Sequence, residues 1–469
     1  MRFSELEGAR VGVWGAGREI GSFADQLARR LPATPILVAA FDVPPDEDVR
    51  ETLKAPNARV VCGSEVLEAL SKCEVVVRSP GVPVHRPELG ALRESGAIVT
   101  TATALWLAER GGEGVIGVTG TKGKSTTAAL LAHLAREAGQ TVALAGNIGA
   151  PALDLLDAEP AQVTVVELSS YHIADLEVGP QVALVTNLFR EHTDWHGSEE
   201  NYRTDKLRLL DLPGVRVRVL NGRDPGLSAA FAAGGIAAPL LTGRRADRHA
   251  PGVPLDFSVE MNTYGVPDGW NVHDEMVLLR GVPVVSVDAL PLRGVHNALN
   301  LCGALAALEA FGVSAPPLPE SLAGFRALPH RLEPVAERNG VLWVNDSVST
   351  TPESTLAALA SFPDREVVLI AGGQDRGQDY AELGLALAEA RTSVIGVPST
   401  GPRLLVAARA AGLEPARTLQ AAGLEEAVRI AGGLAGEGAV VLLSPAAPSY
   451  DHYRDFEERG ERFRALAGS

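Results

Sequence analysis

Cysteine is scarce in this chain of 469 residues, which holds three, Cys62, Cys73 and Cys302. An odd number without close pairing excludes a disulfide framework, and the spacing offers no zinc knuckle, so the three read as buried thiols. Long apolar runs are missing too. No stretch reaches the roughly 18 uninterrupted apolar residues of a membrane span, and the first residues lack a basic-then-apolar signal segment. The expectation is a cytoplasmic protein with no membrane insertion. Positive charge is in deficit: the formal net charge is −16, with acidic residues spread along the chain. That excludes the clustered basic footprint of a nucleic-acid or anionic-membrane surface, so any phosphate site must be local. Lysine is the scarcest cation. Only five lysines, at 54, 72, 122, 124 and 206, stand against 37 arginines. Arginine serves almost wherever a positive charge will do, so a retained lysine points to a need for a compact ammonium or a free amine.

What is present is enough apolar residue, 46%, to build sizeable cores, and a length that suggests about three domains. The first hundred residues alternate short apolar runs (Val11 to Trp14, Ile36 to Ala40, Val75 to Val77, Ile98 to Thr100) with helical stretches such as Ser22 to Arg30, an α/β pattern. A second unit begins with a strand at Val115 to Thr119, a Gly-rich turn and an Ala/Leu helix from Ser125 to Ala138, and continues through strands at Val163 to Glu167 and Val182 to Asn187. Residues 212 to 260 are rich in Gly, Pro and Ala, and Met276 to Leu290 reads as hairpin-like β structure. After a helix from Asn297 to Phe311, the run Gly312 to Glu320 punctuates the chain. A third α/β unit follows, with strands at Leu342 to Asn345, Val367 to Ala371, Ser393 to Val397 and Val440 to Leu443.

The strongest chemical signal is Val118-Thr119-Gly120-Thr121-Lys122-Gly123-Lys124-Ser125-Thr126, placed between strand and helix. Such a turn offers backbone N–H groups and a helix N-terminus to phosphates, a lysine for the β/γ oxygens and a serine hydroxyl for Mg²⁺. The usual spacing would need glycine at 118, so the loop is a shortened variant. After the first strand, Gly15-Ala16-Gly17 is a weak signal: it lacks the third glycine of a dinucleotide fingerprint, and Asp42 is a poor ribose partner.

The shortened loop resembles that of the Mur ligase superfamily, which includes folylpolyglutamate synthetase, and further motifs follow in family order. Gly146-Asn147-Ile148-Gly149, Glu167-Leu168-Ser169-Ser170-Tyr171 and the segment from Asn187 to Lys206 are each similar to family segments, as are Leu328-Pro329-His330-Arg331, Asn345-Asp346-Ser347, Gly372 to Arg376 and Leu443 to Ser449. The resemblance implies a UDP-binding Rossmann-like domain over 1–104, a central P-loop ATPase-like domain over 105–326 and a Rossmann-like C-terminal domain over 327–469. It implies ATP held by Gly120, Thr121, Lys122, Gly123, Lys124, Ser125, Thr126, Asn297, Arg331 and Asp346. Two Mg²⁺ sites are implied on Ser125, Glu167, His192 and a carbamylated Lys206, with Lys124, Glu167, His192 and Lys206 as the catalytic group. Substrate contacts are implied for Arg18, Glu19, Ser79, Asn147, Ser169, Ser170, His330, Thr350, Arg376, Ser449 and Phe456. The implied reaction is ATP-dependent addition of glutamate to UDP-N-acetylmuramoyl-L-alanine through an acyl phosphate, by a monomer.

Three departures bear on the acceptor. Where D-glutamate-adding members usually carry Asn-Asp-Ser-Lys-Ala-Thr-Asn, this chain has Asn345-Asp346-Ser347-Val348-Ser349-Thr350-Thr351; Arg376 replaces a lysine; and His172 replaces a glutamine. The first two resemble a smaller L-glutamate-adding branch. The expectation keeps D-glutamate as default with L-glutamate as the alternative. Two rivals are a folylpolyglutamate-type ligase, which does not explain the segment at 167–171 or the complete α/β unit before the loop, and a catalytically silent nucleotide-binding regulator.

Overall fold

Parallel sheets form wherever the sequence has short, doubly apolar runs separated by helices, since a strand covered on both faces needs apolar residues at every position. The computed structural model describes the chain except residues 43, 46–54, 56, 190, 192, 234–258, 293, 327 and 469. It divides into two compact units, Met1–Phe325 and Arg326–Ser469.

The first unit contains two large parallel sheets. In the first, β1 (Val11–Trp14), β2 (Ile36–Phe41), β3 (Arg59–Cys62), β4 (Val75–Arg78) and β5 (Ile98–Thr100) lie in the order β3-β2-β1-β4-β5. The order reverses at β1, which puts the Gly15 turn and the Ser79 turn side by side at the carboxyl ends of β1 and β4, where open α/β sheets bind ligands. In the second sheet, β6 (Val115–Thr119), β7 (Val142–Gly146), β8 (Val163–Glu167), β9 (Val182–Val185), β10 (Val217–Asn221) and β11 (Glu260–Tyr264) lie in the order β11-β10-β9-β6-β8-β7. A small antiparallel sheet follows, β12 (Trp270–His273), β13 (Met276–Leu279) and β14 (Val282–Ser286), so the β structure expected over Met276 to Leu290 is a hairpin with one further strand before it. Residues of both parallel sheets share one apolar core, in which helix Arg18–Arg30 and helix Ala102–Arg110 meet Ala152 and Leu153. Polar contacts reinforce it: Ser22 Oγ donates to Asp154 Oδ1 at 2.6 Å and Gln26 Nε2 to Asp157 Oδ2 at 2.8 Å. The division expected at 104/105 falls inside helix Ala102–Arg110.

The second unit has one mixed sheet, β15 (Glu333–Arg338), β16 (Val341–Asn345), β17 (Val367–Ala371), β18 (Thr392–Gly396), β19 (Thr418–Gln420) and β20 (Val440–Leu443), in the order β15-β16-β20-β17-β18-β19. Only the β15–β16 pair is antiparallel. Among the described residues no helix is long and apolar enough to cross a membrane.

Candidate active site

Strand register assembles the first unit's site before any side chain is considered. Val118 pairs with Glu167 across β6 and β8, Thr119 with Val185 across β6 and β9, and Gly146 with Glu167 across β7 and β8. The glycine loop, Glu167, the Gly146 turn and the Thr186-Asn187 pair therefore leave neighbouring strands at one edge.

The loop is held by its neighbours' polar side chains. Thr186 Oγ1 donates to Lys122 O at 2.7 Å, Asn187 Nδ2 donates to the same carbonyl at 2.9 Å, and Lys122 N donates to Asn187 Oδ1 at 2.7 Å. Thr121 Oγ1 shares a hydrogen with the Tyr202 hydroxyl at 2.7 Å and accepts from Phe189 N at 2.9 Å. Gly120, at φ +146°, is packed so tightly that a Cβ would overlap Thr186 Oγ1. Helix Lys124–Glu137 starts at Gly123, so its first N–H groups open beside the loop. Lys124 Nζ donates to Thr121 O at 2.9 Å, and Lys122 Nζ pairs with Glu191 at 2.5 Å. Ser125 and Thr126 are buried in the helix's first turn, and Asn297 lies buried on helix Val295–Ala310 with its Oδ1 accepting from Asn300 at 3.2 Å.

Glu167 is fully buried. Asn147 Nδ2 donates to its Oε1 at 3.2 Å, while its Oε2 has no hydrogen-bond partner. An ionised carboxylate oxygen left alone in the interior is costly unless a cation or donor meets it. That orphan oxygen fits a hard, oxygen-seeking ion such as Mg²⁺.

Lys206 is 2% exposed, and its ammonium donates to Gly120 O at 2.9 Å and stands 5.0 Å from the Tyr202 ring centre. Burial, and then the charge of Lys124, push its pKa well below the usual lysine range against the pull of Glu191 and Glu167. Tyr202 is fully buried, and its hydroxyl closes on the loop. His192 lies outside the described residues.

Around the first sheet's switch point, Arg18 is exposed and donates to Gly149 O at 2.8 Å. Ser79 is half-buried, its N–H donating to Trp14 O at 2.7 Å. Glu19 accepts from Thr103 Oγ1 at 2.9 Å and meets His172 Nε2 at 2.6 Å. Burial works to raise the Glu19 carboxyl, but the His172 ring and the hydrogen bonds of His172 and Thr103 outweigh it and hold the pKa down. Ser169 caps the short helix Ser170–Ile173 and touches His172 Nδ1 at 2.7 Å. Ser170 is buried, with its hydroxyl 2.9 Å from His196 Nε2. Arg78, fully buried, donates to Asp175 at 2.5 Å and to Val82 O and Tyr171 O at 2.8 and 3.0 Å, tying the Ser79 turn to the second sheet.

In the second unit, Asn345 pairs with Leu443 on β20, so Asp346 and Ser444 leave the sheet together. Asp346 accepts from Leu332 N at 3.1 Å and Ser444 Oγ at 2.8 Å, and burial raises its pKa to about 6 against those bonds and the Arg331 charge. His330 is buried, with Nδ1 2.9 Å from Asn345 Nδ2 and its ring edge-on to Phe456. Ser449 is buried, Phe456 and Thr350 are half-buried, and Phe456 O accepts from Ser347 Oγ at 2.8 Å. Arg376 is exposed, its guanidinium 5.5 Å from the Tyr450 ring centre.

Sequence reasoning assigned no role to Thr186, Asn187, Tyr202, Glu191 or Asn300, which shape the loop. Thr186 and Asn187 sit where an apolar strand turns polar, a signal available in the sequence; Asn300, packed against Gly123, has none.

Two family models match this chain: Mur ligase middle domain over residues 118–308, and Mur ligase, glutamate ligase domain over residues 330–447. The UDP-N-acetylmuramoyl-L-alanine--L-glutamate ligase of Xanthomonas axonopodis pv. citri is 39% identical over 100% of this chain and 97% of its own length. The protein of the same name from a Micromonospora species is 42% identical over 99% of this chain and 97% of its own. Among solved structures, the UDP-N-acetylmuramate-alanine ligase of Thermotoga maritima shares the fold, with a TM-score of 0.58 at 18% identity over 98% of this chain and 100% of that one. With the shortened glycine loop, the buried carboxylate and the buried lysine at one sheet edge, and with relatives alike from end to end, the chain belongs to the Mur ligase family.

Proposed function

We propose that this protein is an ATP-dependent ligase, acting in the cytoplasm as a monomer, that joins L-glutamate to the alanine carboxyl of UDP-N-acetylmuramoyl-L-alanine. The observation that carries the reading is the convergence of the Gly120 loop, the orphan oxygen of Glu167 and the buried amine of Lys206 on neighbouring strand ends. Phosphoryl transfer asks chiefly for positioning and charge neutralisation, and no nucleophilic side chain is needed. The loop amides and the start of helix Lys124–Glu137 would cradle the nucleotide phosphates, with the Lys122 and Lys124 ammonium groups spreading the developing charge. Ser125, Glu167, His192 and carbamylated Lys206 would hold Mg²⁺, which when bound neutralises phosphate oxygens. The alanine carboxylate attacks the γ-phosphorus and ADP leaves; the glutamate amine then attacks the acyl phosphate, and phosphate leaves as the amide forms.

The carbamate reading rests on family resemblance and is supported by burial. A lysine pushed toward its neutral amine can add CO₂ through the nitrogen lone pair, forming N–COO⁻ and releasing one proton, which places an anion beside the charge of Lys124. The acceptor isomer departs from the D-glutamate default: relatives alike over the full length carry L-glutamate in their names, and Val348 and Arg376 depart from the D-glutamate pattern. Those names are of muramoyl-alanine ligases, which also weighs against the folylpolyglutamate alternative. Roles for Arg331, Asp346, Thr350, Ser449 and Phe456 in holding ribose and glutamate are part of the same proposal.

The test is ADP release with UDP-N-acetylmuramoyl-L-alanine and each glutamate isomer. A kcat/KM for L-glutamate at least tenfold above that for D-glutamate is expected, about 1.4 kcal/mol of discrimination. The reverse preference overturns the isomer, and no ADP with either overturns the ligation.

A further inference from the structure

Three side chains outside the phosphate site converge within the first unit. His85 lies between β4 and helix Pro87–Glu94, His196 ends the short helix Thr193–His196, and Asp205 sits on helix Glu199–Leu207. Asp205 Oδ2 is 2.9 Å from His85 Nε2 and 2.7 Å from His196 Nδ1, and the three potential ligand atoms all lie within 4.8 Å of one another. We propose that His85, His196 and Asp205 form a binding site for a divalent transition metal of the zinc class, clamping the segment after β4 to the helix that carries Lys206.

Ligand chemistry selects the ion. Two imidazoles with one carboxylate suit Zn²⁺ or Co²⁺, whereas Mg²⁺ wants oxygen ligands and keeps its waters. Three protein ligands leave a fourth tetrahedral position for water, as in other three-ligand zinc sites. Atoms bound to one zinc at about 2.1 Å stand roughly 3.4 Å apart at a tetrahedral angle, so the two Asp205 contacts, at 2.9 and 2.7 Å, need to open by only about 0.5 to 0.7 Å.

The surroundings supply an independent argument. A ligating histidine ordinarily gives its other ring nitrogen to a hydrogen-bond acceptor, which fixes tautomer and orientation. His196 does so: Nε2 is 2.9 Å from Ser170 Oγ, and the ring is wedged against Trp195, Tyr171 and Tyr202. A serine hydroxyl can donate to Nε2 when Nδ1 carries the proton, or accept from it when Nδ1 turns its lone pair to a metal. The imidazole can therefore change tautomer in place. Its full burial makes it a fixed ligand, whereas His85, with 40% of its side chain exposed, opens the site to solvent.

The test uses the full-length protein with Co²⁺ as probe, in excess Mg²⁺ and ADP so that the phosphate site takes its own ion. One equivalent of Co²⁺ with tetrahedral visible absorption is expected. His85→Ala and Asp205→Asn should each weaken binding at least tenfold. His85→Cys should keep it and add a thiolate charge-transfer band. Zn²⁺ should raise the Tm of the parent and leave that of His85→Ala unmoved, a comparison that also verifies that the variant folds. A parent that binds no Co²⁺ under these conditions, or a folded His85→Ala that binds it as tightly as the parent, overturns the site.

Discussion

Replacing Gly120 with alanine tests whether the loop geometry is the functional element. The residue sits at φ +146°, and an added Cβ would overlap Thr186 Oγ1 and stand 3.1 Å from Asn187 N. Thr186 cannot step aside freely, because its hydroxyl holds Lys122 O at 2.7 Å. A non-glycine residue held at such a backbone conformation costs about 1–3 kcal/mol, overpacking costs about 1–3 kcal/mol, and the displaced hydrogen bond about 1 kcal/mol. Taken as about 4 kcal/mol against the native loop, this leaves the nucleotide-competent conformation at roughly one part in a thousand, and apparent nucleotide affinity falls by the same factor. Gly123→Ala is the internal comparison. Its φ is +79° and the added Cβ meets the end of the Asn300 side chain, which can turn away. A left-handed alanine costs about 1–2 kcal/mol, so a loss of roughly tenfold is expected. Calorimetric titration with ADP and Mg²⁺, on variants shown by circular dichroism to be folded, reads both. Affinity of Gly120→Ala within threefold of the parent, or greater damage from Gly123→Ala than from Gly120→Ala, would refute the reasoning.

Lys124→Arg should reduce ADP production nearly as far as Lys124→Ala, because a planar fork cannot replace a compact ammonium inside the loop, and near-normal turnover by the arginine variant would count against a phosphate role. Lys206→Ala should lose activity and regain part of it with short-chain carboxylic acids that stand in for the carbamate; absence of rescue, together with an unmodified lysine in a nucleotide-bound crystal, would sink that assignment. Asp346 gives a pH signature. Its pKa is raised from the ordinary aspartate value to about 6, chiefly by burial, so the native state binds this proton more tightly than the unfolded chain. This group's contribution to stability is thus greatest below about pH 4, declines as pH rises toward 6 and is level above, by up to about 3 kcal/mol. Asp346→Asn should remove that slope, and denaturant titrations of parent and variant at pH 4.5 and 7.5 that run parallel would contradict it.

Local chemistry made the glycine loop legible from sequence, because β6, the turn and the following helix are consecutive in the chain and their order already dictates where the N–H groups point. The same holds for Glu167 at the end of β8, and for the strands whose apolar runs are covered on both faces. Short or partly exposed strands such as β3 and β19 carry too few apolar residues to stand out, and became strands through pairing with β2 and β18. Only the tertiary structure could show that Lys206 is buried against Gly120, 86 residues away, or that Thr186 is what forbids a Cβ at Gly120. The sequence specifies His85, His196 and Asp205 as ordinary polar residues. Their meeting across 120 positions depends on how the segment after β4 packs on helix Glu199–Leu207, and the buried Arg78–Asp175 pair and the shared apolar core hold that packing in place.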